Sequence, residues 1–277
     1  MVTLGTLSNY SENAIINNFF RNTGYSTPVN TYSALYTTNP TDADIGNEVS
    51  TIGTGYARQP VTWSAPAVTS VPSVFENKFA IRNTTDIVFP TAQADWGLVT
   101  HWGIRDANTA GNLLAYGEVE VAANVTTSNE YMFTSNNTVL FWDMNPFSNS
   151  VAIAALNLIF RNTPQVPTPL YVALYSTDPT GSDIGVEVPS AGTGYARQVV
   201  AFGTVTQDGS GRAVIKNTSP IEFPVATAAY PPVTHIAIRS AATGGTLLLS
   251  APATQVVALK PTEVYKIAVD NLIFGIN

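Results

Sequence analysis

Two tandem β-sandwich-like domains, each preceded by one short α-helix, are what this sequence predicts. Three observations carry the prediction: one long segment occurs twice, short β-branched and aromatic runs punctuated by turn residues fill most of each copy, and each copy opens on an apolar pattern of helical period. Residues 32–59 (YSALYTTNPTDADIGNEVSTIGTGYARQ) recur as residues 171–198 (YVALYSTDPTGSDIGVEVPSAGTGYARQ), identical at 19 of 28 positions without a gap. Agreement that dense exceeds anything shared composition produces. It marks a tandem duplication of one unit of about 140 residues, long enough to be a whole domain rather than a solenoid or propeller repeat. The expected domains are 1–143 and 144–277.

Each copy begins with residues of the same kind, SNYSENAIINNFFRNT at 8–23 and SNSVAIAALNLIFRNT at 148–163. In the first, Ser11 can serve as N-cap, Glu12 favours the first turn, and Ile15, Ile16, Phe19 and Phe20 recur at helical spacing. Pro28 in one copy, and Pro164, Pro167 and Pro169 in the other, are expected to stop the helix. The period then changes. Residues 31–37, 87–89 and 99–104 in copy one, and 170–176, 233–238 and 247–249 in copy two, read as strands. Nineteen glycines and 18 prolines fit many tight turns between them. The copies close with residues 131–141 and 265–274. The junction falls near Trp142 to Asn145 with almost no linker, which predicts little free hinge.

Composition excludes several classes of function. Cysteine is absent, so disulfides, thiolate zinc sites and cysteine nucleophiles are excluded together. A net charge of −7 with four lysines argues against a nucleic-acid partner. No apolar run approaches the roughly 18 residues of a membrane span, and the first ten residues carry no Sec-type signal, so a soluble chain is expected. Charged residues make up only 11% of the sequence, which suits extensive contact with other protein surfaces.

The strongest shared motif is Asp-Ile-Gly-x-Glu-Val followed by Gly-Thr-Gly-Tyr-Ala-Arg-Gln. It places Asp44, Glu48, Tyr56 and Arg58 in copy one and Asp183, Glu187, Tyr195 and Arg197 in copy two. Asp44 with Glu48 could form an acid pair or ligate calcium. We favour a structural motif, with Gly53 and Gly55 at positive φ and Arg58 pairing with Glu48 or Asp44 to pin the loop. Gly53-Thr-Gly55 lacks the lysine and the following helix of a phosphate loop. His101 and His235 occupy one equivalent position per copy, beside Thr100 and Thr234 that have no evident activator, so local bonding at a strand face is expected. Six of the eight arginines fall at duplicated positions, among them Arg105 with Arg239. No catalytic, cofactor or metal-binding residues are assigned, and no enzyme is expected. Asp95, Trp96 and Trp102 are the candidates for a partner contact, with sugar stacking open to either tryptophan if it is exposed.

Asn13-Ala14, residues 32–41, Glu48-Val49, 55–59, 89–104 and 111–114, taken in that order, resemble a family of small tailed-phage virion proteins. Its members are commonly labelled phage tail fibre proteins, and it has head-decorating (cement) relatives. The resemblance covers nearly all of both copies. It implies a non-enzymatic virion structural protein, made in the host cytoplasm. The expected role is capsid decoration bridging neighbouring capsomers, the alternative a tail-fibre or receptor-binding module recognising host glycans. Expected partners are the major capsid protein, other virion proteins or the chain itself, with no nucleic acid and no membrane. Copy two departs from the pattern where Tyr230-Pro231-Pro232 replaces Asp95-Trp96-Gly97 and Ala237 replaces Gly103.

Overall fold

The computed structural model describes residues 3–21, 23–69, 78–141, 148–163, 169–209 and 213–276. The expected junction at 143/144, Trp142, Pro164 and Pro167 lie outside them. Among the described residues the fold is mainly β with two helices, α1 (Asn9–Arg21) and α2 (Asn149–Phe160). Contacts divide the chain into two compact units, one of Met1–Ile15, Ser26–Asp143 and Ala155–Pro164, the other of Ile16–Tyr25, Met144–Ala154 and Gln165–Asn277.

In the first unit an antiparallel sheet runs in the order Gln59–Val61, Thr31–Tyr36, Gly97–Arg105, Leu113–Val125. It continues through Thr3–Leu7, which pairs antiparallel with Leu113–Val125 and parallel with Thr138–Phe141, and ends on Lys78–Arg82 and Ala67–Thr69. Ile87–Val88 and Met132–Phe133 make a separate two-stranded ribbon. The second unit repeats the first four strands as Gln198–Val200, Leu170–Tyr175, Val233–Arg239 and Leu247–Val257. A three-stranded sheet (Thr206–Gln207, Ala213–Lys216, Ile273–Ile276) and the ribbon of Ile221–Glu222 with Lys266–Ile267 complete it.

Thr31–Tyr36 and Leu170–Tyr175 are buried at five of six positions, as expected of strands flanked on both edges and covered on both faces. The longest strands, Leu113–Val125 and Leu247–Val257, start buried and then run into exposed positions. The second continues past Leu249, where the sequence reading ended it, through Ser250 and Pro252 into largely exposed positions. Register shifts interrupt the central pairing at Val99/His101 and Ile104/Arg105, and again at Val233/His235 and Ile238/Arg239. A bulge re-aims the side chain that follows it. The residues re-aimed are the duplicated histidines and arginines.

The helix caps differ from expectation. Ser8, not Ser11, caps α1: its Oγ accepts the Ser11 N–H at 3.4 Å and its carbonyl accepts the Glu12 N–H at 3.0 Å, while Ser11 is buried in the first turn. Ser148 does the same for α2, and both cap hydroxyls also donate to strand carbonyls, of Leu113 and Leu247. An N-cap held by a strand fixes where its helix starts. At the other end of α2, Asn162 takes a left-handed φ of 49° and Thr163 N–H returns to the Asn157 carbonyl at 3.2 Å, so an asparagine ends the helix before any proline. In the first unit Phe160 packs at 5.8 Å on Trp63, and in the second Phe20 packs edge-on to Phe202 at 6.2 Å.

Candidate functional site

The best-preserved loop of each copy is built around one tyrosine. Tyr56 stacks on Phe89 at 6.0 Å and meets Trp96 edge-on at 5.4 Å; Tyr195 repeats this with Phe223 at 5.9 Å and Tyr230 at 6.0 Å. This packing holds the phenol oxygen between two partners. Tyr56 Oη accepts the Leu35 N–H at 2.9 Å and donates to Glu48 Oε1 at 3.1 Å. Tyr195 does likewise with Leu174 at 3.0 Å and Glu187 at 2.9 Å. Burial, then the neighbouring glutamate charge, pushes both phenols well above the ordinary tyrosine range, so they act as neutral cross-links.

Two arginine forks finish the clasp. Arg58 donates from Nε and Nη2 to the two oxygens of Glu48 at 2.8 and 2.7 Å, and from Nη1 to the carbonyls of Ala107 and Ala110 at 2.8 and 2.6 Å. Arg197 makes the same four bonds to Glu187, Ala241 and Gly244. Arg105 grips both oxygens of Asp44 at 2.8 and 2.5 Å and donates to Tyr36 Oη at 2.9 Å and the Gly111 carbonyl at 3.0 Å. Arg239 repeats this on Asp183, Tyr175 and Gly245. Burial pushes the Tyr36 phenol up to about 12 against the opposing pull of Arg105.

A planar fork on a carboxylate fixes orientation as well as distance, which lysine cannot copy. Here the forks tie residues 41–48 to the turn at 107–111, and residues 180–187 to that at 241–245. Each tie walls a cavity, about 490 Å³ beside Glu48, Ser50, Ile52, Tyr56, Arg58 and Asn108, and about 370 Å³ beside Glu187, Ser190, Tyr195, Arg197 and Thr243. Glu48 and Glu187 spend both oxygens on these internal bonds. Among the described residues no three His, Cys, Asp or Glu side chains gather as metal ligands.

The sequence-predicted motif residues therefore come together, Arg58 with Glu48 and Arg197 with Glu187. Asp44 and Asp183 pair instead with Arg105 and Arg239. Those arginines were visible only as duplicated positions, and their partners lie 61 and 56 residues away. The histidines bond locally, His101 Nδ1 to Thr100 Oγ1 and His235 Nδ1 to Thr234 Oγ1, both at 2.9 Å.

The proposed partner contact needs correction. Trp96 is 5% exposed with its indole N–H on the Thr54 carbonyl at 3.0 Å, and Trp102 is fully buried with its N–H on the Glu118 carbonyl at 3.1 Å. Neither ring offers a face for a partner or a sugar. Asp95 is exposed but accepts the Thr127 N–H at 2.8 Å, closing its own turn. The packing also aligns Tyr230 with Trp96, so Ala229-Tyr230-Pro231, one residue earlier than the sequence comparison had it, replaces Asp95-Trp96-Gly97.

A β-rich unit is used twice, and in each copy two arginines and the carboxylates of the shared motif hold loops together. The chain belongs to the family described as podophage GP4 fiber I protein gp80, whose model matches residues 6–140 and again 146–275. That is a family of virion structural proteins. No curated protein matches the chain. Among the described residues no helix is long and apolar enough to cross a membrane.

Proposed function

We propose that the chain is a non-enzymatic building block of a virion fibre, holding other virion proteins through surfaces that its two units present in equivalent form. The observation that carries this reading is the duplicated clasp. Arginines, carboxylates and tyrosines that could have served chemistry instead saturate one another in both copies, which is the economy of a scaffold. The family's description as a fibre protein supports the same assignment. A second reading, capsid decoration bridging neighbouring capsomers, is favoured by the duplication itself: two like loops on one chain suit two equivalent lattice sites, and bivalency strengthens weak contacts. On that reading the partner is the major capsid protein.

Gold-labelled antibody against this chain, imaged on intact virions, separates the two. Label at a few fibre positions is expected. Label spread over the capsid would replace the fibre reading with the decoration reading, and particles without label would remove both.

A further inference from the structure

Each copy holds an isoleucine at the tip of its first loop, and both are in water: Ile45 is 74% exposed and Ile184 73%. Such exposure is common for a single residue. What sets this pair apart is how much structure is devoted to presenting it. Thr41 and Asp44 sit at φ of 58° and 57°, and Thr180 and Asp183 repeat those angles at 57° and 59°. A left-handed φ is costly for a β-branched threonine and persists only where the surroundings impose it.

The surroundings impose it twice over. Ile45 N–H bonds the Pro40 carbonyl and Ile184 N–H that of Pro179, both at 2.8 Å. Thr38 and Thr177 hydroxyls accept the N–H of Asn47 and Val186, both at 2.8 Å. A Cβ on Gly46 would lie 2.5 Å from Pro40 Cα, and one on Gly185 equally close to Pro179 Cα, so the backbone folds onto itself just past each isoleucine. The acid next to each isoleucine is already neutralised, Asp44 by Arg105 and Asp183 by Arg239. By contrast Ile52 is 88% exposed, but the aligned residue in copy two is Ala191.

We propose that Ile45 and Ile184 are paired apolar anchors that insert into two identical sockets on a homomeric virion protein. This rests on the virion reading above and names the surface that serves it. Two loops kept alike down to their strained residues fit a partner that presents one socket repeatedly, and an apolar side chain whose adjacent acid is paired with an arginine fits an apolar socket. Preorganisation explains the strain, because a loop already rigid loses little freedom on docking.

The test uses the full-length chain and phage particles assembled without it, with bound chain per particle measured after co-sedimentation. Wild type is expected to bind, with affinity changing less than about threefold between low and high salt. Ile45→Asp and Ile184→Asp are each expected to weaken binding by about 10- to 100-fold, the double variant more than either, while Ile52→Asp leaves it unchanged. Circular dichroism checks that the variants fold, and Ile45→Val with Ile184→Val keeps binding through a smaller apolar tip. Wild-type binding with an equally good double variant overturns the anchors and spares the virion reading. No binding by wild type overturns both. Self-association of wild type in solution that the double variant loses would make the partner a second copy and overturn the socket assignment.

Discussion

Glu12 is a carboxylic acid buried where its counterpart in the other copy is an alanine, and its removal has a calculable signature. It is 4% exposed in the first unit, and copy two has Ala152 at that position. Burial, then the charge of Asp42, pushes its carboxyl from 4.5 up to about 8. The folded chain thus holds this proton more tightly than the unfolded chain does. A raised folded-state value means the contribution to stability is fully present below about pH 4.5 and is lost as pH rises to about 8. Each unit of that interval costs about 1.4 kcal/mol, which sets a ceiling of about 4 to 5 kcal/mol, and water entry or local relaxation would reduce it to about half.

Glu12→Gln keeps the shape and removes the charge. Urea unfolding of the full-length chain between pH 5 and 8, followed by tryptophan fluorescence, reads the relevant region, because all four tryptophans precede residue 143. Near pH 5 variant and wild type should agree within about 1 kcal/mol; by pH 8 the variant should be more stable by about 2 to 4 kcal/mol. A stability difference that stays constant across that range would refute the reasoning, since it would mean that Glu12 does not titrate with unfolding.

Arg58→Lys should destabilise the first unit by about 2 to 4 kcal/mol in the same urea assay, because an ammonium cannot serve both Glu48 oxygens and two carbonyls together; a loss under about 0.5 kcal/mol would deny the clasp its structural weight. Gly46→Ala and Gly53→Ala should differ in kind. The first drives a Cβ into Pro40 and should cost about 1 to 3 kcal/mol with weaker particle binding, whereas the second meets nothing within 4 Å and should cost only the strain of its φ of 71°, about 1 kcal/mol, with binding retained. Equal effects on binding would deny the loop its role.

The repeat, the strand-rich class and the two helices were legible because they rest on period and identity, which local residues carry. Thr3–Leu7 was not read as a strand: five residues with a central glycine have no period of their own, and the segment is a strand only because Leu113–Val125 and Thr138–Phe141 flank it. Residues 131–141, read as the closing segment of the first copy, form two strands, Met132–Phe133 and Thr138–Phe141, because Asn136 turns the chain at a φ of 66°. Ser11 resembles a cap in sequence, yet Ser8 wins because only its hydroxyl reaches a strand carbonyl. At the site, a pairing of Arg58 with Glu48 or Asp44 was readable from their closeness in sequence, and the geometry selects Glu48. Asp44 with Arg105 was not, since the pairing depends on a bulge in a strand laid beside it by the sheet.

The two copies form an internal comparison in which shared and unshared features separate cleanly. Both keep the forks, the bridging tyrosine and the strained loop that carries an exposed isoleucine. Only copy one has Glu12 near Asp42, with Asp42 accepting the Tyr116 hydroxyl at 2.6 Å; Ala152, Gly181 and Ser250 stand in those places in copy two. Asp42 belongs to the same loop as Ile45, so ionising Glu12 sets a charge against the loop that presents the first anchor, whereas copy two has Ala152 in place of that acid. Equal anchors on unequally titrating units predict that alkaline pH weakens the Ile45 contact before the Ile184 contact. In particle binding at pH 9, Ile184→Asp should then be more damaging than Ile45→Asp, and Glu12→Gln should restore equality between them. Equal losses in the Glu12-bearing chain at that pH would show that the acid and the anchor are uncoupled.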